Sequence, residues 1–475
     1  MGVLAGEVDE QATDSRRGAF FYQYLATVSG CLSIICTGMH FGWPSPSLPQ
    51  LIHENSSIAV THDEGSWLAA MPCIGAASGS IIAAVIVDKI GRKTSMLLTS
   101  PLYFVTWIMV AYSPSVMLLY IARFLVGTSD GVAFTVFPMY LGEIANAKIR
   151  GMLGSSVQVS MFIGMLLINS IGSFLDITYT ALISAGVPIL HFVTFCFMPE
   201  SPYYLVMKEN LKEAEKSLKK LYRSKDVTDE LNEVIESVKE DKANDGKFWE
   251  LFTIKSNRKA VFIVFGLRAF QQLSGTNVIT FYAGTIFKEA GSDVPSSIST
   301  IVYFSVQLVV SIIASFLVDK LGRKPLLIWS IIGSGAALAM EGVYVYLDDY
   351  TDVDMSHLKC VPLVALIGYV TVFNIGMGTI PVLLLGEMFP TSVKAVALCL
   401  ADIFFGVIVT IISKFFQFTK DSMGLHVPFF VFTASCVLGL LFIIIWVPET
   451  KGKTLEEIQH ELKGGKKKSA KVDNS

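Results

Sequence analysis

Charge is scarce in this chain: 37 Lys and Arg with 40 Asp and Glu make 16% of 475 residues, while 52% are hydrophobic. A soluble domain carries roughly a quarter charged residues, so the shortage argues against one. Cysteine is sparse too. Six of the seven (Cys31, Cys36, Cys73, Cys196, Cys399 and Cys436) lie inside apolar runs and only Cys360 sits near a polar edge, which excludes a disulfide framework. The seven histidines are scattered, no group has metal-ligand spacing, and no glycine-rich phosphate loop occurs. The expectation is therefore no enzyme, no metal and no cofactor; no nucleic-acid partner is expected either, although the net charge of −3 by itself says nothing about one.

What abounds is apolar length. Runs such as Phe20 to Phe41, Trp67 to Val87, Val261 to Phe281 and Val427 to Val447 reach the roughly 20 residues that cross a bilayer as helix. About twelve such runs can be read, and mean hydropathy is +0.56. No small-residue cleavage site follows the first run, which therefore reads as a retained span. With a cytosolic start, the cytosolic connections should be rich in Lys and Arg. Lys89, Arg92, Lys93, Lys148, Arg150, Lys320, Arg323, Lys324 and Lys394 fall on that side, whereas Asp63, Glu64, Asp348, Asp349, Asp352 and Asp354 fall on the other. Asn55, in the sequon "NSS", should face outside as a glycosylation acceptor.

The chain also repeats itself. "DKIGRK" at 88–93 returns as "DKLGRK" at 319–324, Glu143 and Arg150 return 244 positions later as Glu387 and Lys394, and "PES" at 199–201 returns as "PET" at 448–450. Four matched features in one order indicate two six-helix halves. The expected fold is an all-α membrane protein of twelve transmembrane helices. Its parts are a cytosolic N-terminus (1–19), a first half (20–199), a cytosolic helical linker (200–258), a second half (259–447) and a cytosolic tail (448–475). The linker, with "LKEAEKSLKKLY", reads as a solvated amphipathic helix.

These strings, with "RFLVG" at 123–127, "PMYLGEIA" at 138–145, "QQLSGTN" at 271–277 and "PETKGKT" at 448–454, resemble the sugar porter family of the major facilitator superfamily over nearly the whole chain. Within it the chain is similar to insect facilitated trehalose transporters and mammalian class III glucose transporters, partly through "FGWPSPSLPQL" at 41–51. The resemblance implies a facilitative carrier of trehalose or glucose in a plasma membrane, working as a monomer with the sugar and the bilayer as its partners. A proton-coupled symporter and a non-transporting sugar sensor stay open as alternatives.

Opposite charges at half-dry helix ends attract more strongly than in water. Asp88, Arg92, Glu143 and Arg150, with Asp319, Arg323, Glu387 and Lys394, therefore read as two conformational latches, to which the resemblance adds Glu200 and Glu449. A sugar offers hydroxyls and no charge, so amides at membrane depth are candidate ligands. Gln158, Gln271, Gln272 and Asn277 match the family's sugar-binding positions. For Gln307 and Asn374, a ligand role and helix-to-helix adhesion both stay open.

Some positions depart from the family. Val382 and Ala401 stand where Trp and Asn are common, implying a roomier cavity that suits a disaccharide, and Pro44 replaces the acid of span 1 that symporters carry. Of the acids at membrane depth, Asp130 reads as the ion-pair partner of Arg123 two turns away, while Asp402 has no evident partner and is the candidate coupling acid.

Overall fold

The structure, a computed structural model, describes residues 20–53, 58–146, 148–243, 249–289, 294–352, 357–453 and 455–463. Among these residues there is no strand. Eleven helices are long and apolar enough to cross a membrane. In chain order they are span 1 (Phe21–Leu51), span 2 (His62–Ile90), span 3 (Arg92–Ala111), span 4 (Val116–Ile144), span 5 (Arg150–Gly172) and span 6 (Ile177–Cys196). Then follow span 8 (Ser296–Val318), span 9 (Arg323–Tyr350), span 10 (Val361–Met388), span 11 (Val396–Met423) and span 12 (His426–Trp446). Between spans 6 and 8 lie two further helices, Lys255–Leu273 and Thr276–Glu289, numbered together as span 7. Gly275, at φ 81°, breaks it, and a Cβ there would run into the ring of Phe432.

Local chemistry explains several boundaries. Thr61 and Glu64 form a reciprocal capping box at the start of span 2, and Asp176 accepts from Tyr179 N at the start of span 6. Spans 2 and 4 approach through Gly75, Gly79, Gly127 and Gly131, where any Cβ would strike backbone of the other helix. Small residues at such spacing permit close packing where no hydrophobic gain is available in lipid.

The chain divides into two compact units, Met1–Ala243 with Asn277–Leu308 and Val409–Phe418, and Asn244–Thr276 with Val309–Ile408 and Thr419–Ser475. The core of the first contains Ala83, Val136, Phe137, Tyr140 and Phe195. Its linker helices are more than a solvated face. Helix Leu211–Tyr222 buries Ala214, Ser217, Leu218 and Leu221, and Val206, Ala214 and Val238 form a small core of their own. In the second unit the tail helix Leu455–Leu462 buries Ile458 and Leu462, and Gln459 Nε2 donates to Met388 O at 2.5 Å.

Candidate functional site

Among the described residues, each unit carries one cluster of charges at the ends of its spans. In the first, Arg92 Nε donates to both oxygens of Glu143 at 3.0 Å, and its Nη1 to Asp88 Oδ1 at 2.9 Å. Ser201 Oγ donates to Glu143 as well. The guanidinium is almost dry: side-chain exposure is 3% for Arg92 and 13% for Glu143. In the second unit, Arg323 Nη2 meets Glu387 Oε1 at 2.8 Å and Thr450 Oγ1 donates to Glu387 Oε2 at 2.6 Å. Exposure there is 12% and 23%. The repeat thus extends to the hydroxyl, since the Ser of "PES" and the Thr of "PET" bind corresponding carboxylates.

Glu200 and Glu449 do something different from pairing with arginine. Glu200 Oε1 accepts from the backbone N–H groups of Arg92, Lys93 and Ser201 at 3.1, 2.9 and 2.8 Å. Glu449 accepts from the N–H groups of Arg323 and Lys324, both at 3.0 Å. Each acid therefore caps, from a distant part of the chain, the helix that the Asp-Lys-x-Gly-Arg-Lys string begins. Carboxylates are favourable at a helix N-terminus, where donors are unpaired and the dipole is positive. Burial pushes the Glu449 carboxyl up, but the N–H groups of Lys451, Arg323, Lys324 and Thr450 outweigh it and hold it below its ordinary range. Gly91 and Gly322, at φ 95° and 93°, make room for these caps. A Cβ on Gly91 would collide with Glu200 Oε2.

Not every residue of the charge pattern joins the clusters. Arg150 donates only to Ala145 O at 3.4 Å, and neither it nor Lys394 has a carboxylate partner among the described residues. Asp88 is 58% exposed. The side chain of Asp319 and all of Asn55 lie outside the described residues.

The amides divide by what already binds them. In the first unit, the half-buried Gln158 makes no side-chain hydrogen bond among the described residues. Gln307 is 5% exposed with its Oε1 unpartnered, and Asn277 belongs to the same unit. In the second, Gln271 is saturated: Nε2 donates to Met377 O at 2.7 Å and Gly378 O at 3.3 Å, while Oε1 accepts from Arg268 and Gln272. Asn374 donates to Val370 O on its own helix.

A family model described as sugar (and other) transporter matches residues 24–462. The chain belongs to this family. It is 33% identical over 449 residues to the facilitated trehalose transporter Tret1 of Bombyx mori, covering 94% of this chain and 88% of that protein. It is 34% identical to the facilitated trehalose transporter Tret1-2 homolog of Drosophila simulans, with 94% and 91% covered. In three dimensions it resembles the xylose transporter XylE of E. coli in an inward-open conformation, at TM-score 0.78 and 24% identity, with 92% of this chain and 99% of that one covered. That likeness identifies the major facilitator fold.

Within this transporter family member the buried charges at membrane depth are arranged differently from the pattern their spacing suggests. Arg123 and Asp130 do not pair. Arg123 donates to Leu68 O at 3.0 Å and His40 O at 2.8 Å and lies over the Trp43 ring at 4.9 Å, while Asp130 accepts from Tyr103 Oη at 2.9 Å. Carbonyls contributed by spans 1 and 2 take the Nε and Nη1 protons of the guanidinium, and its buried Nη2 has no hydrogen-bond partner among the described residues. Asp402 gains a neighbour instead, because the Arg268 charge acts on it without a direct ion pair. Arg268 itself is held by Gln271 Oε1 at 3.0 Å and by the face of Phe405 at 5.2 Å.

One acid is absent from the candidates above. Glu341, inside "ALAMEGVYVY" of span 9, is fully buried, and neither carboxyl oxygen has a hydrogen-bond partner among the described residues. A lone acid six residues before the last apolar residue of the run, Leu347, was the available signal. The two departures differ in burial: Val382 is 44% exposed, whereas Ala401 is fully buried.

Proposed function

We propose that this chain is a facilitated carrier of trehalose and glucose that works by alternating access in a plasma membrane, as a monomer with both termini and the linker cytosolic. The observation that carries the reading is the half-buried Gln158 and the buried, unpartnered Oε1 of Gln307, amides without hydrogen-bond partners among the described residues, in a family member whose relatives are named facilitated trehalose transporters. An amide that donates and accepts at once suits a neutral hydroxylated solute. The two Arg–Glu–hydroxyl clusters supply the cytosolic latches, holding span ends together in one state and parting in the other.

Labelled trehalose and glucose should both enter cells that express the chain. Accumulation should stop at the external concentration and persist with a protonophore, because Pro44 takes the place of an acid in span 1. Concentrative uptake that collapses with the proton gradient would transfer the function to a symporter coupled through Asp402.

The amides predict a contrast between two variants. Gln158→Ala should raise KM for sugar roughly five- to tenfold with melting unchanged, since one hydrogen bond to ligand is worth about 1 to 1.5 kcal/mol. Gln271→Ala should lower the melting temperature as well, because its amide ties span 7 to the break in span 10. Equal melting with unchanged KM in both would move the sugar site elsewhere.

A further inference from the structure

A cavity of about 500 Å³ opens in the first unit at the outer ends of spans 1, 5, 7 and 8. At its margin Ser45 Oγ accepts from Gly284 N at 3.2 Å, and a Cβ on Gly284 would come to 2.5 Å from Ser45 O. One turn deeper the rings of Phe41 and Phe281 touch at 4.9 Å. Spans 1 and 7 are therefore closed against each other beneath the cavity. The volume lies within the roughly 300 to 1,000 Å³ of small-molecule sites.

The lining has a definite chemistry. The hydroxyls of Ser173, Ser296 and Ser297 and the ammonium of Lys288 are without hydrogen-bond partners among the described residues. Gln50 Nε2 is committed to Gly172 O at 3.2 Å and Leu175 O at 3.3 Å, which leaves its Oε1 to accept. Pro46 and Pro49 add apolar ring faces, and no carboxylate lines the cavity among the described residues. Hydroxyls donate and accept equally well, so this set matches a ligand that carries many hydroxyls.

We propose that this cavity is an outer docking site for a neutral polyhydroxylated solute of disaccharide size, occupied before the solute passes between spans 1 and 7. The identity of the solute rests on the sugar-carrier reading; the site itself rests on the cavity. Hydroxyls of the ligand bond to Ser173, Ser296, Ser297 and Gln50 Oε1, Lys288 donates at the rim, and a sugar C–H face lies on the proline rings.

The test uses the full chain in intact cells, with the exposed Cys360 replaced by serine. Ser297→Cys, or Ser173→Cys as a second position on another span, is then labelled from outside with a membrane-impermeant maleimide. Trehalose at about twice its Kd should slow labelling about threefold through occupancy alone, and sodium phosphate should not. Adding Ser296→Ala and Lys288→Met should remove the protection. Labelling at neither position, labelling indifferent to trehalose, protection by phosphate alone, or protection that survives the added substitutions would each overturn the docking site. Uptake is scored separately on the same cells. Protection without uptake keeps the docking site and sinks the carrier reading, while uptake without protection does the reverse.

Discussion

Uptake by an Arg92→Ala variant is expected to fall to a small fraction of normal, with a loss of thermal stability that Arg323→Ala does not match. Arg92 is nearly dry and serves Glu143 and Asp88 together; without it, Glu143 keeps only the Ser201 hydroxyl as donor. Removing one partner of a buried pair costs about 3 to 5 kcal/mol, because the remaining charge is left without compensation. Arg323 and Glu387 are at 12% and 23% exposure, so water screens their pair more and the second loss should be smaller. Arg92→Ala combined with Glu143→Gln should recover part of the stability, since the stranded charge is gone. Melting of purified protein and uptake at matched surface expression read the two effects separately. Normal uptake in Arg92→Ala would remove the latch from the transport cycle. Restored melting with transport still lost in the double variant is the outcome the latch requires.

Gly91→Ala should be nearly as damaging although it adds one methyl group. Its backbone sits at φ 95° and ψ 166°, a region that is essentially glycine's alone and costs other residues of order 1 to 3 kcal/mol. The new Cβ would also push Glu200 off the N–H groups it caps, a further loss of about 0.5 to 2 kcal/mol. Gly322 has nearly the same backbone, but a Cβ there would stand 3.1 Å from Glu449 Oε2, so Gly322→Ala should lose mainly the conformational part. Glu200→Ala removes the obstacle, and the Gly91→Ala, Glu200→Ala double variant should lose less than the sum of its parts. Strict additivity in melting temperature would show that the methyl and the carboxylate do not meet.

The two arginine–glutamate pairs were legible because the repeat doubles every cue: Arg92 with Glu143 and Arg323 with Glu387 stand at matched places along the chain. Arg150 and Lys394 carry the same cue yet have no carboxylate partner, because a cytosolic helix end collects positive charge whether or not an acid faces it. Glu200 and Glu449 were found as members of the clusters but not as caps. A cap depends on N–H groups more than 100 residues away.

Hydropathy and charge along the chain indicated by themselves an all-helical bundle of apolar spans, eleven of which are long enough to cross a membrane among the described residues, and a duplicated charge string. Those properties depend on residue type and order, and the bilayer reads them span by span. The tertiary structure alone decided which polar groups remain free. Gln158 and Gln271 are both amides at membrane depth, yet one lacks a protein partner and the other is saturated. Carbonyls of two other spans take two of the three guanidinium nitrogens of Arg123 and leave its Nη2 unpartnered, and Glu341 has no hydrogen-bond partner among the described residues. Hydrogen-bond satisfaction is a property of atoms brought together from distant spans, so it became visible only once the helices were packed.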